Sequence, residues 1–334
     1  MSTDDTPSLI TLRITSRFGR QSTAFEVIDG IDLRGRHIVV TGGASGLGLE
    51  TSRALAKAGA SLTLGVRNAA QGDAAVNAIG QETGHRDIRV ALLDLADLQS
   101  VQRFADAWLA RGEPLHVLIN NAGIMAAPLT RNALGWEAQF ATNHLGHFAL
   151  TRALLPSLLK AADARVVALS SSGHRLSPIV FDDIHFEHRE YNKWKAYGQA
   201  KTANALMALH LDTLHAKDGL TANAVHPGGI KTGLSRYLPP EEISALGWAR
   251  PEGSEPGAVP PGFKNAEQGA ATSVWAATAP ELQGHGGLYL EDCNEAVPSP
   301  EGERRYGHVP HIRDRAVAER LWAVSEAMLA QAGG

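Results

Sequence analysis

From residue 37 the chain alternates short β-branched runs with longer segments rich in Ala and Leu. "HIVVT" (37–41), "SLTLGV" (61–66), "IRVALL" (88–93), "LHVLIN" (115–120), "RVVALS" (165–170) and "TANAVH" (221–226) read as buried strands. Between them, segments 46–58, 70–83, 97–111, 134–160 and 197–216 space their apolar residues at the 3.6-residue period and predict helices. Strand, helix and strand repeated in this way give a parallel sheet covered by helices on both faces, a doubly wound, Rossmann-type α/β domain.

Two stretches break the rhythm. Residues 1–36 precede the first strand and predict an N-terminal extension. Residues 230–265, with "LPPEEISALGWARPEGSEPGAVPPGF", are too punctuated by Gly and Pro for long regular elements. They follow the last clear strand, at the carboxyl edge where open α/β sheets bind ligands, and predict a lid or substrate loop; a plain surface insertion is the alternative. The organisation expected is one domain over 37–300 that carries this loop, followed by a C-terminal helical tail over 301–334. There is no internal repeat and no low-complexity tract.

Length and composition narrow the function classes. A chain of 334 residues with 44% hydrophobic content can bury a substantial core. Net charge is -4, and only a mildly basic stretch around Arg304, Arg305, Arg313 and Arg315 stands out, which argues against a nucleic-acid partner. The single cysteine, Cys293, excludes an internal disulfide and any cysteine-based metal site, as expected for a cytoplasmic protein. Asp4, Asp5, Arg13, Arg17 and Arg20 interrupt any secretory apolar run, and no segment approaches the roughly 18 apolar residues that a spanning helix requires.

Candidate chemistry begins at "VVTGGASGLGLETSRALAKAG" (39–59), which puts Gly42, Gly46 and Gly48 between a predicted strand and a predicted helix. Glycines there allow a tight turn and let a pyrophosphate approach the backbone at the positive end of a helix. The spacing Thr41-Gly42-x-x-x-Gly46-x-Gly48 resembles the short-chain dehydrogenase/reductase family. Further along, "NNAG" (120–123), Asn143, serines 170–172, "YGQAK" (197–201) and "HPGGIKT" (226–232) follow in that family's order. "STAFEVIDGIDLRGR" before the first strand, and "NAEQGAATSVWAAT" and "GGLYLEDC" after residue 265, resemble the subgroup of retinol dehydrogenases, protochlorophyllide reductases and the WW-domain oxidoreductase.

The resemblance implies a nicotinamide cofactor held by Gly42, Ser45, Gly46, Leu47, Gly48, Arg67, Asn68, Asp94, Leu95, Asn121, Ala122, Gly123, Tyr197, Lys201, Pro227, Gly228, Ile230 and Thr232. At the end of the second strand an acid would bind the ribose hydroxyl of NAD and repel the 2′-phosphate of NADP. Here Val66 takes that place and Arg67 follows, which favours NADP(H) over NAD(H); an ordinary solvated Arg is the bland reading.

Reduction of a ketone needs a hydride at carbon and a proton at oxygen. A tyrosine, ordinarily titrating near 10, can supply the proton if a lysine one helical turn away lowers its pKa. Two such pairs overlap in "EYNKWKAYGQAK" (190–201): Tyr191 with Lys195 and Tyr197 with Lys201. The run "AKTANALMALHLDTL" after Lys201 resembles the family's long helix, which assigns catalysis to Tyr197 and Lys201. Tyr191, if on that helix, would stand about 120° off the catalytic face; its pair is expected at the outer rim or at the start of the helix. The resemblance makes Ser171 the residue that polarises the carbonyl, with Ser170 and Ser172 as alternatives, and makes Asn143 the holder of a proton-relay water.

His144 and His147 lie three apart on a predicted helix but have no carboxylate or cysteine motif beside them, so a packed or surface pair is expected and no metal site. His226 is expected to be structural, and Cys293 a buried structural cysteine rather than a reactive thiol. On the substrate side, Met125, Leu129, Leu234, Tyr237, Leu238, Trp248 and Phe263 imply a hydrophobic ketone, aldehyde or alcohol of steroid, retinoid or aromatic type. Two other classes stay open: an epimerase or dehydratase of related fold, whose glycine spacing T-G-x-x-G-x-x-G differs from 41–48, and a non-catalytic nucleotide-binding module. Members of the family often pair through helices flanking the sheet, so a homo-oligomer is compatible with the resemblance.

Overall fold

All six apolar runs form strands, and their alternation decides which core each side chain enters. In β1 (His37–Thr41), Ile38 and Val40 point into one hydrophobic core and Val39 into the other. The computed structural model describes residues 13–251, 253–255, 258–300 and 306–333. The other strands are β2 (Ser61–Val66), β3 (Ile88–Leu92), β4 (Val117–Asn120), β5 (Ala164–Leu169), β6 (Leu220–His226), β7 (Tyr289–Glu291) and β8 (Asn294–Glu295). Their order is β3-β2-β1-β4-β5-β6-β7-β8, parallel except for the last pair. Strand order reverses between β1 and β4, so a crevice opens beyond Thr41 and Asn120.

Ten α-helices surround the sheet among the described residues: α1 (Ala24–Ile28), α2 (Gly46–Lys57), α3 (Ala69–Thr83), α4 (Leu98–Leu109), α5 (Ala138–Phe140), α6 (Gly146–Leu158), α7 (Lys193–His215), α8 (Pro240–Ala245), α9 (Ala266–Thr278) and α10 (Arg315–Gln331). Residues of α1, α2, α3 and α9 share one core, around Leu55, Ile79 and Trp275. Residues of α4, α6 and α7 build the other around Phe104, Trp108 and Leu154. No helix among the described residues is long and apolar enough to cross a membrane.

The structure corrects the helical expectations at two places. The expected helix 134–160 begins at Ala138, because the buried Glu137 carboxylate accepts hydrogen bonds from the backbone of Gln139 and Phe140 and so caps the first turn. Over Ala141–Leu145 the coil then widens into a π-helix before α6 continues. The expected helix 197–216 begins four residues earlier, at Lys193, with Asn192 accepting from Trp194 and Lys195. Tyr191 therefore lies outside the helix, and the angular argument from helix geometry does not apply to it. Two further strands, β7 and β8, were not expected. They turn through Asp292 and Cys293, both at positive φ, and Cys293 is fully buried.

Of the N-terminal extension, residues 13–36 are described. The Ile14 carbonyl accepts from the Glu295 backbone N–H of β8 while the Ile14 N–H donates to the Glu295 carboxylate, Ser16 binds Asn294 and the Cys293 carbonyl, and Thr23 with Glu26 forms a capping box that starts α1. The basic pair Arg304 and Arg305 lies outside the described residues.

Gly146 marks where α6 crosses the end of β3: a Cβ there would fall 2.1 Å from the Leu95 carbonyl oxygen. Gly146→Ala is therefore expected to lower stability by roughly 1–3 kcal/mol through overpacking, read as a shifted urea midpoint at unchanged slope.

Candidate active site

The crevice is stitched shut at its base by one hydroxyl. Thr41 Oγ1 accepts hydrogen bonds from the backbone N–H groups of Asn121 (2.9 Å) and Ala122 (3.0 Å), and the Asn121 amide returns one to the Thr41 carbonyl (2.7 Å). With its lone pairs so used, the Thr41 hydroxyl proton points to His147 Nε2 at 2.8 Å, and His147 Nδ1–H donates to the Asn143 carbonyl at 2.9 Å. Burial holds His147 neutral, with its pKa down at about 4. His144 is also buried, with Nε2 2.9 Å from Ser325 Oγ of α10, so both histidines are packing groups.

Above this stitch lies a cavity of about 800 Å³. Gly42, Ser45, Gly46 and Leu47 line it from the glycine loop, where Gly42 and Gly46 have positive φ. Gly48 lies beneath rather than on the wall: a Cβ there would stand 2.2 Å from the Gly42 carbonyl oxygen, so only glycine allows α2 to start so close to the loop. Arg67 and Asn68 line the cavity at the end of β2, Asp94 and Leu95 at the end of β3, and Asn121, Ala122 and Gly123 at the end of β4. Pro227, Gly228, Ile230 and Thr232 line it beyond β6. Arg67 is exposed and, among the described residues, has no carboxylate paired with it. Gln71, Thr142 and Arg236 also line the cavity and escaped the sequence reading, while Ser170, an alternative there, reaches it too. Gln71 had a local signal, since Asn68 caps its N–H.

Ser171, Tyr197 and Lys201 share one wall. Ser171 caps the 3-10 turn Ser172–Leu176, its Oγ accepting from Gly173 N–H at 3.0 Å. Ser170 also reaches the cavity, but its hydroxyl donates to the Lys201 carbonyl at 2.8 Å; Ser172 is not on the wall. Lys201 Nζ donates to the Leu169 carbonyl at 2.9 Å and stands 5.7 Å from the Tyr197 ring centre. Burial dominates both groups. It pushes Tyr197 up to about 12, against a hydrogen bond with Ser171 that pulls the other way, and brings Lys201 down to about 8. Desolvation of the phenolate thus raises the tyrosine pKa rather than giving the expected lowering by its lysine.

Asn143 is placed behind the wall rather than on it. Its Oδ1 accepts from Ile124 N–H at 2.8 Å and its Nδ2 donates to Ile124 O at 2.9 Å, which staples the loop after β4 to the π-helix. Tyr191 is remote from the cavity wall: its hydroxyl meets Ala127 O (2.9 Å), Glu137 (3.1 Å) and Gln139 (3.0 Å), and burial beside Glu137 raises its pKa. Lys195 is exposed. His226 is buried and neutral, near the Ser172 and Gly228 N–H groups.

The segment 230–265 closes over Tyr197. Met125, Tyr197 and Leu238 are buried together against Trp194, Leu234, Ile243 and Trp248, and Trp248 meets Phe263 edge-on at 5.7 Å. Glu242 of α8 binds both Lys193 Nζ (2.5 Å) and Trp194 Nε1 (3.1 Å). Leu129 and Tyr237 remain exposed, outside this cluster.

Known proteins resemble this chain in sequence and fold. The short chain dehydrogenase family model matches residues 36–243. A short-chain dehydrogenase/reductase of Penicillium rubens is 41% identical over 92% of this chain and 90% of its own. Human WW domain-containing oxidoreductase is 36% identical over 98% of this chain and 75% of its own. Among solved structures, an uncharacterised protein from Mycobacterium paratuberculosis superposes with TM-score 0.68 at 34% identity, over 92% of this chain and 97% of the other. A short chain dehydrogenase from Shigella flexneri complexed with NADP superposes with TM-score 0.58 at 26% identity, over 78% and 98%. With a family model covering well over half the chain and relatives aligned along nearly all of it, this chain belongs to the short-chain dehydrogenase/reductase family of oxidoreductases.

Proposed function

We propose that the chain is an NADP(H)-dependent oxidoreductase that interconverts a hydrophobic ketone or aldehyde and its alcohol. The observation that carries this reading is the cavity itself, with Ser171, Tyr197 and Lys201 on one wall and an unpaired Arg67 in place of an acid at the end of β2. The cradle fits a dinucleotide: close glycine packing leaves the backbone at the start of α2 approachable, and Arg67 suits a 2′-phosphate. The NADP complex of the Shigella flexneri relative supports the same choice.

When bound, the dinucleotide supplies the hydride; the proton and its control belong to this chain. Tyr197, pushed up to about 12, is a neutral phenol at pH 7 and can donate its proton to a carbonyl oxygen. Ser171 Oγ–H stabilises the negative charge developing on that oxygen. Lys201, charged below about 8, stabilises the phenolate left behind. Asn143 positions the Gly123–Ile124 backbone against Lys201. The apolar cluster of Met125, Leu238, Trp194 and Trp248 around Tyr197 favours a hydrophobic substrate.

Oxidation of NADPH and NADH against a panel of hydrophobic aldehydes and ketones tests this reading, with wild type, Tyr191→Phe and Tyr197→Phe side by side. NADPH-selective turnover is expected, with kcat reduced at least about a hundredfold by Tyr197→Phe. Tyr191→Phe should keep kcat and lose about 1 kcal/mol of stability. Preference for NADH, or activity that survives Tyr197→Phe, overturns the reading. Arg67→Ala should weaken NADPH binding by about tenfold, or 1.4 kcal/mol, and leave NADH binding unchanged by calorimetry.

Burial of Lys201 also sets a pH dependence of stability. Its folded pKa of about 8 lies below the ordinary 10.5, so between these values the unfolded chain holds a proton that the folded chain has released. Stability therefore rises with pH across that window, and below pH 8 the buried charge costs up to about 3 kcal/mol. Lys201→Met should be the more stable protein at pH 7 in urea, with its advantage shrinking from pH 8 to 10.5; a gap independent of pH would contradict this.

A further inference from the structure

We propose that His174 and Tyr289 are positioning residues for Ser171, and that the segment from residue 306 to 313 is thereby part of the active-site scaffold. The inference rests on the reading of Ser171 as the group that polarises the carbonyl. The Ser171 carbonyl oxygen accepts from three donors: the His174 backbone N–H at 3.0 Å, His174 Nδ1 at 2.6 Å and Tyr289 OH at 3.1 Å. His174 is fully buried and Tyr289 nearly so.

The hydrogen-bond pattern fixes the histidine's tautomer. A carbonyl oxygen can only accept, so His174 Nδ1 carries the proton; Nε2 then faces the Val309 N–H at 3.3 Å as an acceptor. Burial keeps the ring neutral, with its pKa down at about 3, so the one proton stays on Nδ1. The His174 backbone is fixed as well: its carbonyl accepts from Thr202 Oγ1 at 3.0 Å and from His311 Nε2 at 3.0 Å. Val309 is held in turn, because Gly307 N–H donates to Glu291 (2.7 Å) and Arg175 donates to the Tyr306 and Gly307 carbonyls.

What this network sets is the spacing between Ser171 and Tyr197. The turn that His174 closes contains Gly173, where a Cβ would stand 2.8 Å from the Tyr197 ring. Ser171 Oγ is bonded to that same Gly173 N–H. A shift of the Ser171 carbonyl would therefore carry the hydroxyl and the Gly173–Tyr197 contact with it. Tyr289, Val309 and His311 all lie beyond residue 243, where the family model ends.

The test measures kcat, KM and NADPH affinity for Tyr289→Phe, His174→Leu, His174→Asn and His174→Gln, each alone and combined with Ser171→Ala. Asn places an amide N–H near the position of Nδ1, whereas Gln places a carbonyl oxygen near that of Nε2. Positioning of Ser171 requires that His174→Leu lower kcat by about tenfold to a hundredfold at unchanged NADPH affinity, with His174→Asn recovering more than His174→Gln. In the Ser171→Ala background the same substitutions should cost nearly nothing more. Better recovery by Gln would mean that the histidine only fastens the tail, and equal losses with and without Ser171 would overturn the proposal. If Ser171→Ala itself leaves kcat unchanged, the serine assignment fails and the inference with it. A readout free of activity comes from the ¹⁵N shifts of His174 in the wild-type protein: a protonated Nδ1, a bare Nε2 and no titration between about pH 5 and 8 are expected. The opposite tautomer, or titration in that range, would refute the network even if every variant misfolded.

Discussion

The Thr41 hydroxyl sets the geometry on which the rest of the site depends. It joins the ends of β1 and β4 where strand order reverses, and it spends both roles of an alcohol in doing so: acceptor from two backbone N–H groups and donor to His147. From His147 the chain of bonds runs to the Asn143 carbonyl, and from the Asn143 side chain to Ile124, next to Gly123. A Cβ on Gly123 would stand 3.7 Å from Lys201 Nζ, so the crevice beyond β1 and β4 and the wall that carries Tyr197 and Lys201 are registered through one buried polar path. Such a path is stable only when every member is satisfied, which explains why this much polar surface can lie between two apolar cores.

Burial has opposite consequences for Tyr197 and Lys201. It holds Tyr197 as a neutral phenol well above neutral pH and lowers Lys201 towards it, so the pair stands protonated at pH 7 and carries a single charge. A protonated phenol is the form that gives a proton to a carbonyl oxygen. Environment, rather than the Tyr-x-x-x-Lys spacing, sets the protonation of both groups.

The parallel sheet was legible because strands buried on both faces write their apolar character continuously, and the glycine loop because close backbone approach leaves no other residue type. Most of the cavity wall followed from the family resemblance, including Arg67 and Ser171. What could not be read was set by tertiary contacts. Glu137 sets where α5 starts and Gly146 lets α6 pass close to Leu95, and neither leaves a periodic signature. Tyr191 looked like a helical residue and is instead a strut between Ala127 and Glu137, since Asn192 starts the helix one residue after it. Of the wall residues that were missed, Arg236 lies in a segment whose sequence has no period to read, while Gln71 and Thr142 lie in helical segments whose period marks burial and not a site.

The substrate segment shows the same limit and how the fold answers it. A Gly- and Pro-rich stretch cannot hold itself in place by backbone pairing, so it must be fixed from outside. Near its start, Glu242 ties it to Lys193 and Trp194 at the head of the helix that carries Tyr197. At its end, Lys264 is 2% exposed, pairs with Asp292 at 2.5 Å in the β7–β8 turn, and donates its backbone N–H to Gly229. Gly228 lies against the Lys264 stem, leaving no room for a larger residue between the lysine and the cavity wall. Arg20 of the N-terminal extension reaches the Gly262 carbonyl beside it. A buried ion pair adds little net stability, but it tolerates few alternative arrangements. Here that exclusivity holds the loop after β6 and the end of segment 230–265 in one register, so residues 13–36, this segment and the last two strands form a single frame around Tyr197.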